Sequence, residues 1–336
     1  MVRILSLVFA MAFVMAGCGS KVNGSETIAV LDETTNIRLG EFSLMLRYQQ
    51  AQMETYYGSM LGGGIYQQEL SEDGETYGDS AKKSQMDEFK LLYVLEAEAP
   101  NYEVALTEEE KGAITEAAKT FMDTNTSQLK KAVGAEQADV EHLLTLLTLQ
   151  DKMYDALTTD VDTVVSDEEA AQKRITYAFI STTGTETDSE GNTIELTEEE
   201  KAGKKAELQE VLDAAKESGD LNAAAEGKEN ISVNTTTYGE NSSSPAEDVR
   251  AAADTLADGE FAELIEVESG YYAVQMVSTF DREATDTRKE AIVQERRDAL
   301  YDEKCQELQE AHTFTTVDSV MAKLTFDQTF VLKTEQ

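Results

Sequence analysis

Histidine and cysteine each occur only twice in 336 residues, and 28 basic side chains stand against 66 acidic ones. Each scarcity removes a class of chemistry. His142 and His312 are too far apart in sequence and too few to build a Ser-His-Asp arrangement or a metal-binding set, so no metal and no cofactor are expected. A net charge of −38 repels phosphate backbones and argues against a nucleic-acid partner, while it keeps the surface solvated and attracts basic, unfolded polypeptide. The cysteines are Cys18 and Cys305. With Cys18 committed elsewhere, Cys305 alone cannot close an intramolecular disulfide, and stability must come from packing. Beyond the N-terminus no apolar run is long enough to span a bilayer; residues 143–149 come nearest, and threonines interrupt them. Against disorder stand 41% hydrophobic residues, 13 Tyr and 11 Phe in periodic arrangement.

The chain opens with a single positive charge, Arg3, followed by an apolar run over residues 8–16 that extends back through Ile4, Leu5 and Leu7, which is a signal-peptide profile. The run ends in Val14-Met15-Ala16-Gly17-Cys18, small residues placed just before a cysteine. This resembles the lipobox of bacterial lipoproteins, in which the cysteine receives a diacylglyceryl group and becomes the new N-terminus. The resemblance implies a leader over residues 1–17, lipid attachment at Cys18, a polar tether over residues 18–26, and an extracytoplasmic body held to the bacterial cell membrane by its lipid.

Helical periodicity dominates the next stretch. Phe42, Met45, Leu46, Gln49, Met53, Tyr56 and Met60 trace one long helix over residues 41–60, broken by Gly62-Gly63-Gly64. Met86, Phe89, Leu92, Tyr93 and Glu96 trace a second over residues 81–99, stopped by Pro100. Thr107 and Glu110 form a capping box for a third helix carrying Ile114, Ala117, Ala118 and Phe121. Leu129 and Val133 suggest a short helix ending at Gly134, and Val140, Leu143, Leu144, Leu147, Tyr154 and Leu157 a long one. Up to about residue 163 the chain reads as helical, and residues 27–165 as one helical lobe.

The pattern then changes. After a second capping box at Ser166 and Glu169, residues 174–181 carry the β-branched and aromatic content of a strand. An acidic, turn-rich stretch follows, in which Asp188-Ser189-Glu190-Gly191-Asn192 lacks the spacing of a calcium loop and reads as a solvated turn. A box at Thr197 and Glu200 opens a helix to about residue 218. Residues 231–238 form a strand candidate, and Ser244-Pro245 the cap and first position of a helix through residue 256. Residues 263–267 and 271–279 make a hairpin around Ser269-Gly270. A charged helix over residues 285–311 ends the pattern. The fold class is α+β: a helical lobe with an inserted module of about four strands over residues 170–280, the lobe being completed by residues 281–336.

The order of elements in residues 174–279, together with Leu256-Ala257-Asp258-Gly259-Glu260 and the hairpin through Gly270-Tyr271-Tyr272, resembles the parvulin-type (PpiC-type) peptidyl-prolyl isomerase domain. With the lipobox, the N-terminal helices and Asn36-Ile37-Arg38-Leu39-Gly40-Glu41-Phe42, the chain resembles extracytoplasmic foldase lipoproteins of the PrsA type, related to the SurA chaperones. The resemblance implies a chaperone lobe that binds unfolded exported polypeptides and an inserted domain able to isomerise X-Pro bonds. The two family histidines are not matched: Phe179 and Tyr272 stand in their places. The family's Gly-Gly-Asp-Leu-Gly segment is missing, residues 235–240 standing roughly in its place, and Pro245, Val249 and Asp254 replace the apolar pocket residues. The resemblance therefore leaves open whether the chain is an enzyme, a peptidyl-prolyl isomerase, or a chaperone without catalysis. Candidate cleft positions are Tyr177, Phe179, Tyr238, Val249 and Tyr272, which serve either as core or as aromatic binding surface. Methionine and tyrosine left over from core packing would line a client-binding lobe. The alternative is a solute-binding or structural surface lipoprotein without foldase activity.

Overall fold

The computed structural model describes residues 13–16, 21–61, 64–71, 74–184 and 195–333. Cys18 and the acidic turn at residues 188–192 lie outside them. The chain divides into two compact units, Met1–Val161 with Arg297–Gln336, and Asp162–Arg296.

The first unit is built on α1 (Leu39–Leu61), α2 (Tyr77–Glu98), α3 (Glu108–Thr124), α4 (Ser127–Val133) and α5 (Gln137–Leu157). The Thr107–Glu110 capping box closes both ways, and Gly134 ends α4 in the left-handed conformation that glycine adopts without steric cost. Phe42, Phe89, Leu92, Phe121, Val140, Leu143 and Leu146 are buried together, and the rings of Phe42 and Phe89 meet edge to face at 5.5 Å. Such a pair contributes roughly 1 kcal/mol beyond its area.

Strands enter where helix alone was expected. β2 (Thr27–Leu31) and β3 (Thr35–Arg38) form a hairpin ahead of α1, and β8 (Phe314–Thr316) adds to β2 to give the order β3-β2-β8. The hairpin turn places Asp32 and Glu33 at φ 49° and 58°. Carboxylate residues hold a conformation usually signalled by Asn-Gly, so the turn is silent in sequence. Asp32 is fixed there because its Oδ1 accepts from the Thr313 N–H at 2.8 Å. The polar stretch read as tether is also part of the body from Val22 onward: Val22 N–H donates to Lys131 O, and Gly40 N–H to Gly24 O. A Cβ on Gly24 would stand 1.8 Å from Gly134 O, so the segment closes on α4 at backbone distance. The chain ends with α11 (Asp318–Met321) and β9 (Thr329–Leu332), and β9 pairs antiparallel with β1 (Phe13–Ala16).

The second unit holds α6 (Asp167–Ala170), β4 (Lys173–Ser181), α7 (Glu198–Ser218), α8 (Leu221–Ala224), β5 (Ser232–Tyr238), α9 (Glu247–Ala253), β6 (Ile265–Val267) and β7 (Gly270–Ser278). The sheet is antiparallel with order β5-β4-β7-β6. Central strand β4 is apolar on both faces because both are covered. Ala178 and Ile180 pack under Leu208, Val211, Leu212 and Ala215, the stripe of α7, while Ile175 packs with Val249 and Ala253 of α9. The helix expected to start at Pro245 instead starts at Glu247 behind Ala246, and it stops at Ala253, short of residue 256. Helix α10 (Arg282–Ala311) begins in this unit and ends in the first.

Candidate functional site

Because side chains alternate along a strand, Ile175, Tyr177 and Phe179 share one face of β4, and register sets Phe179 opposite Tyr272 on β7. Phe179 and Tyr272 rings lie 4.6 Å apart, and Tyr177 meets Tyr272 nearly edge to face at 5.5 Å. All three are half-buried. They form an aromatic shelf at one end of the sheet face whose other end is sealed by α9. Burial and the neighbouring Tyr177 raise the Tyr272 hydroxyl above its ordinary range.

The other two candidates lie deeper. Val249 is wholly buried with Ile175, Ala253 and Met276, and Tyr238 is nearly so. Tyr238 donates its hydroxyl to Asp254 Oδ1 at 2.6 Å, and the same oxygen accepts from Lys173 Nζ at 2.8 Å. Burial opposes ionisation of Asp254, yet Lys173 and Tyr238 hold its carboxyl below the usual range. Burial and that carboxylate push the Tyr238 hydroxyl up. These residues line a polar cavity of about 800 Å³ with Gln172, Ser242 and Arg250. The structure thus brings Tyr177, Phe179 and Tyr272 together and sets Tyr238 and Val249 apart from them.

Both histidines lie in the first unit, each between two carboxylates. His142 Nδ1 contacts Glu41 Oε2 at 3.1 Å and Nε2 contacts Glu96 Oε1 at 2.9 Å, while Tyr93 donates to the same Glu41 oxygen. Burial disfavours the imidazolium, but the two carboxylates outweigh it and push its pKa up to about 10. His312 sits likewise between Asp32 at 2.5 Å and Glu98 at 2.9 Å, and these partners raise its pKa against the opposing effect of burial. Each histidine joins carboxylates of two separate elements, His142 those of α1 and α2 and His312 those of the β2–β3 turn and α2. Among the described residues no group of three or more His, Cys, Asp and Glu is placed to hold a metal, and no helix is long and apolar enough to cross a membrane.

A cluster of exposed large apolar side chains stands at the end of α1, where Tyr56 is 68% exposed, Tyr57 49% and Met60 73%. The spacing of Tyr56 and Met60 reads as a continuation of the core stripe, but the core ends near Ala51 and the last turns run past it.

No protein-family model matches the chain, and no curated protein matches it. Among solved structures the chain is similar to the foldase protein PrsA of Lactococcus lactis, with 17% identity over 89% of this chain and 97% of that one, TM-score 0.36. It is similar to the peptidylprolyl isomerase PrsA of Bacillus cereus, with 16% identity over 73% and 90% and TM-score 0.31. It is similar also to a structure from work on the SurA-like chaperones PEB4 and Cj1289 of Campylobacter jejuni, with 11% identity over 87% and 98% and TM-score 0.28.

Proposed function

We propose that this chain is an extracytoplasmic foldase of chaperone type, lipid-anchored through Cys18, which binds unfolded exported polypeptides. The observation that carries this reading is the joint exposure of Tyr56, Tyr57 and Met60 on the last turns of one helix. Apolar side chains left outward on so acidic a surface suit contact with chains that expose apolar residues, and methionine adapts to varied partners. The aromatic shelf of Tyr177, Phe179 and Tyr272 offers a second such surface, on which a proline ring can stack.

Isomerisation is not part of the proposal. An X-Pro bond must cross a barrier of ~18–20 kcal/mol in a pocket preorganised around the twisted amide. At the positions where the family places histidines, Phe179 and Tyr272 instead contact one another.

The deciding experiment measures aggregation of an unfolded client and the rate of a proline-limited refolding reaction in the presence of the processed protein. The expected result is suppression of aggregation at near-stoichiometric ratio with the refolding rate unchanged. Accelerated refolding would make the chain an isomerase, and failure on both counts would remove the foldase reading.

A further inference from the structure

Strand β9 has two edges in different situations. On one edge the Phe330 N–H donates to Glu54 Oε2 at 2.8 Å and the Leu332 N–H to Thr55 Oγ1 at 2.9 Å, so side chains of α1 hold it. Backbone direction alternates along a strand, which turns the N–H and C=O groups of Thr329 and Val331 to the opposite edge. There β1 is paired, with Val14 opposite Val331 and Ala16 opposite Thr329. β1 lies wholly inside residues 1–17, the segment that the sequence marks for removal ahead of Cys18.

Removal of that segment strips one edge of β9 and leaves the other intact. The strand keeps its mooring: Phe330 is buried, the Arg47 guanidinium lies 5.0 Å from its ring centroid, and Gln50 donates to Gln328 O at 2.6 Å. A fixed strand with an open edge is a template for another extended chain. It lies beside exposed apolar surface, because Glu54 and Thr55 directly precede Tyr56 and Tyr57. A cavity of about 570 Å³ lined by Met53, Glu54, Tyr66, Phe326 and Thr329 adjoins its first residue.

We propose that in the processed protein the free edge of β9 accepts an extended apolar segment of an unfolded exported polypeptide as an antiparallel strand, the position that residues 13–16 occupy in the unprocessed chain. The occupant is argued from what already sits there, the apolar sequence Phe13-Val14-Met15-Ala16, and from the acidic surroundings, which reject acidic segments. Main-chain pairing reads no particular side chain, so many clients fit, and a strand of four residues releases them readily. The choice of an exported polypeptide as occupant rests on the proposed function; the strand-accepting edge does not.

The test uses processed protein from membrane extracts, with mass spectrometry locating its N-terminus, and a labelled peptide of residues 11–17 flanked by lysines. Saturable binding is expected. N-methylation at Val14, whose N–H faces β9, should weaken it about tenfold, whereas N-methylation at Met15, whose N–H faces away, should weaken it less than about threefold. The amides of Thr329 and Val331 should gain protection from hydrogen exchange on binding. Val331→Pro, which deletes an N–H from the open edge alone, should abolish binding with the melting transition retained.

Absent binding, equal weakening by the two methylations, retention of residues 13–16 in the mature chain, or self-association through β9 in place of peptide binding would each overturn the proposal. Client protection by a protein that ignores the peptide removes the edge and keeps the foldase reading. The methylation pattern without client protection upholds the strand-accepting edge and removes the foldase reading.

Discussion

Arg47 on α1 donates from Nη2 to the carbonyl oxygen of Thr325 at 2.7 Å, joining residues 278 positions apart. The same guanidinium bonds Gln50 at 2.6 Å and lies over the rings of Phe326 and Phe330. Burial lowers its pKa to about 10, so it stays charged at neutral pH. A planar cation that satisfies a carbonyl and stacks on two rings fixes the C-terminal tail to the helical unit.

Arg47→Met is expected to destabilise the first unit by about 3 kcal/mol, because it removes a charge-assisted bond to Thr325 and both ring contacts. Limited proteolysis should then cut within residues 322–333, where the native protein resists. Arg47→Lys should not restore resistance, since an ammonium lacks the fork that reaches Gln50 and Thr325 together.

The His142 clamp makes stability depend on pH with a definite sign. Its folded pKa, pushed up to about 10, exceeds the unfolded value near 6.5, so its contribution is complete below about pH 6.5 and is lost as pH rises toward 10. With 32% of its side chain exposed, the contribution is on the order of 2 kcal/mol after solvent screening. Thermal unfolding followed by circular dichroism should show a lower midpoint at pH 9.5 than at pH 6.5. His142→Ala should flatten that dependence and cost about 3 kcal/mol at pH 6.5, because Glu41 is left buried without its cation. An unchanged pH dependence in the variant would remove the clamp from the account.

Phe179 and Tyr272 are half-buried, so truncating them should cost little stability and much binding if the shelf meets clients. The double variant Phe179→Ala with Tyr272→Ala is expected to lose about 2 kcal/mol of stability. It should weaken capture of a proline-containing unfolded segment about tenfold, read by fluorescence anisotropy. Val249→Ala, equally destabilising but wholly buried, is the control that should leave binding intact.

Gly270 opens β7 at φ 157°, and a Cβ there would fall 2.1 Å from the Ile180 carbonyl oxygen. Gly270→Ala is therefore expected to cost more than about 2 kcal/mol, since the strand must separate from β4 to admit the methyl group. Hydrogen exchange at residues 178–181 should accelerate in the variant. A change within experimental error would show that the β4–β7 end is loosely held.

The long helices were legible because each carries its own signals: the capping box at Thr107 and Glu110, the glycine stop at Gly134, and apolar stripes at helical spacing. The four-stranded sheet was legible because β4 is apolar on both faces and the β6–β7 hairpin is bounded by Ser269 and Gly270. Those local patterns determined the α+β class, the leader-like N-terminus and the scarcity of groups for acid-base chemistry. Sequence alone could not reveal β2, β8 and β9, short strands whose pairing partners lie hundreds of residues away or behind a turn of two carboxylate residues. Nor did it show that the apolar spacing at Tyr56 and Met60 outruns the core, or that His142 is held between Glu41 and Glu96. Amphipathic periodicity records which face of an element is apolar; whether that face is covered, and which distant charge or edge meets it, is decided only when the chain is folded.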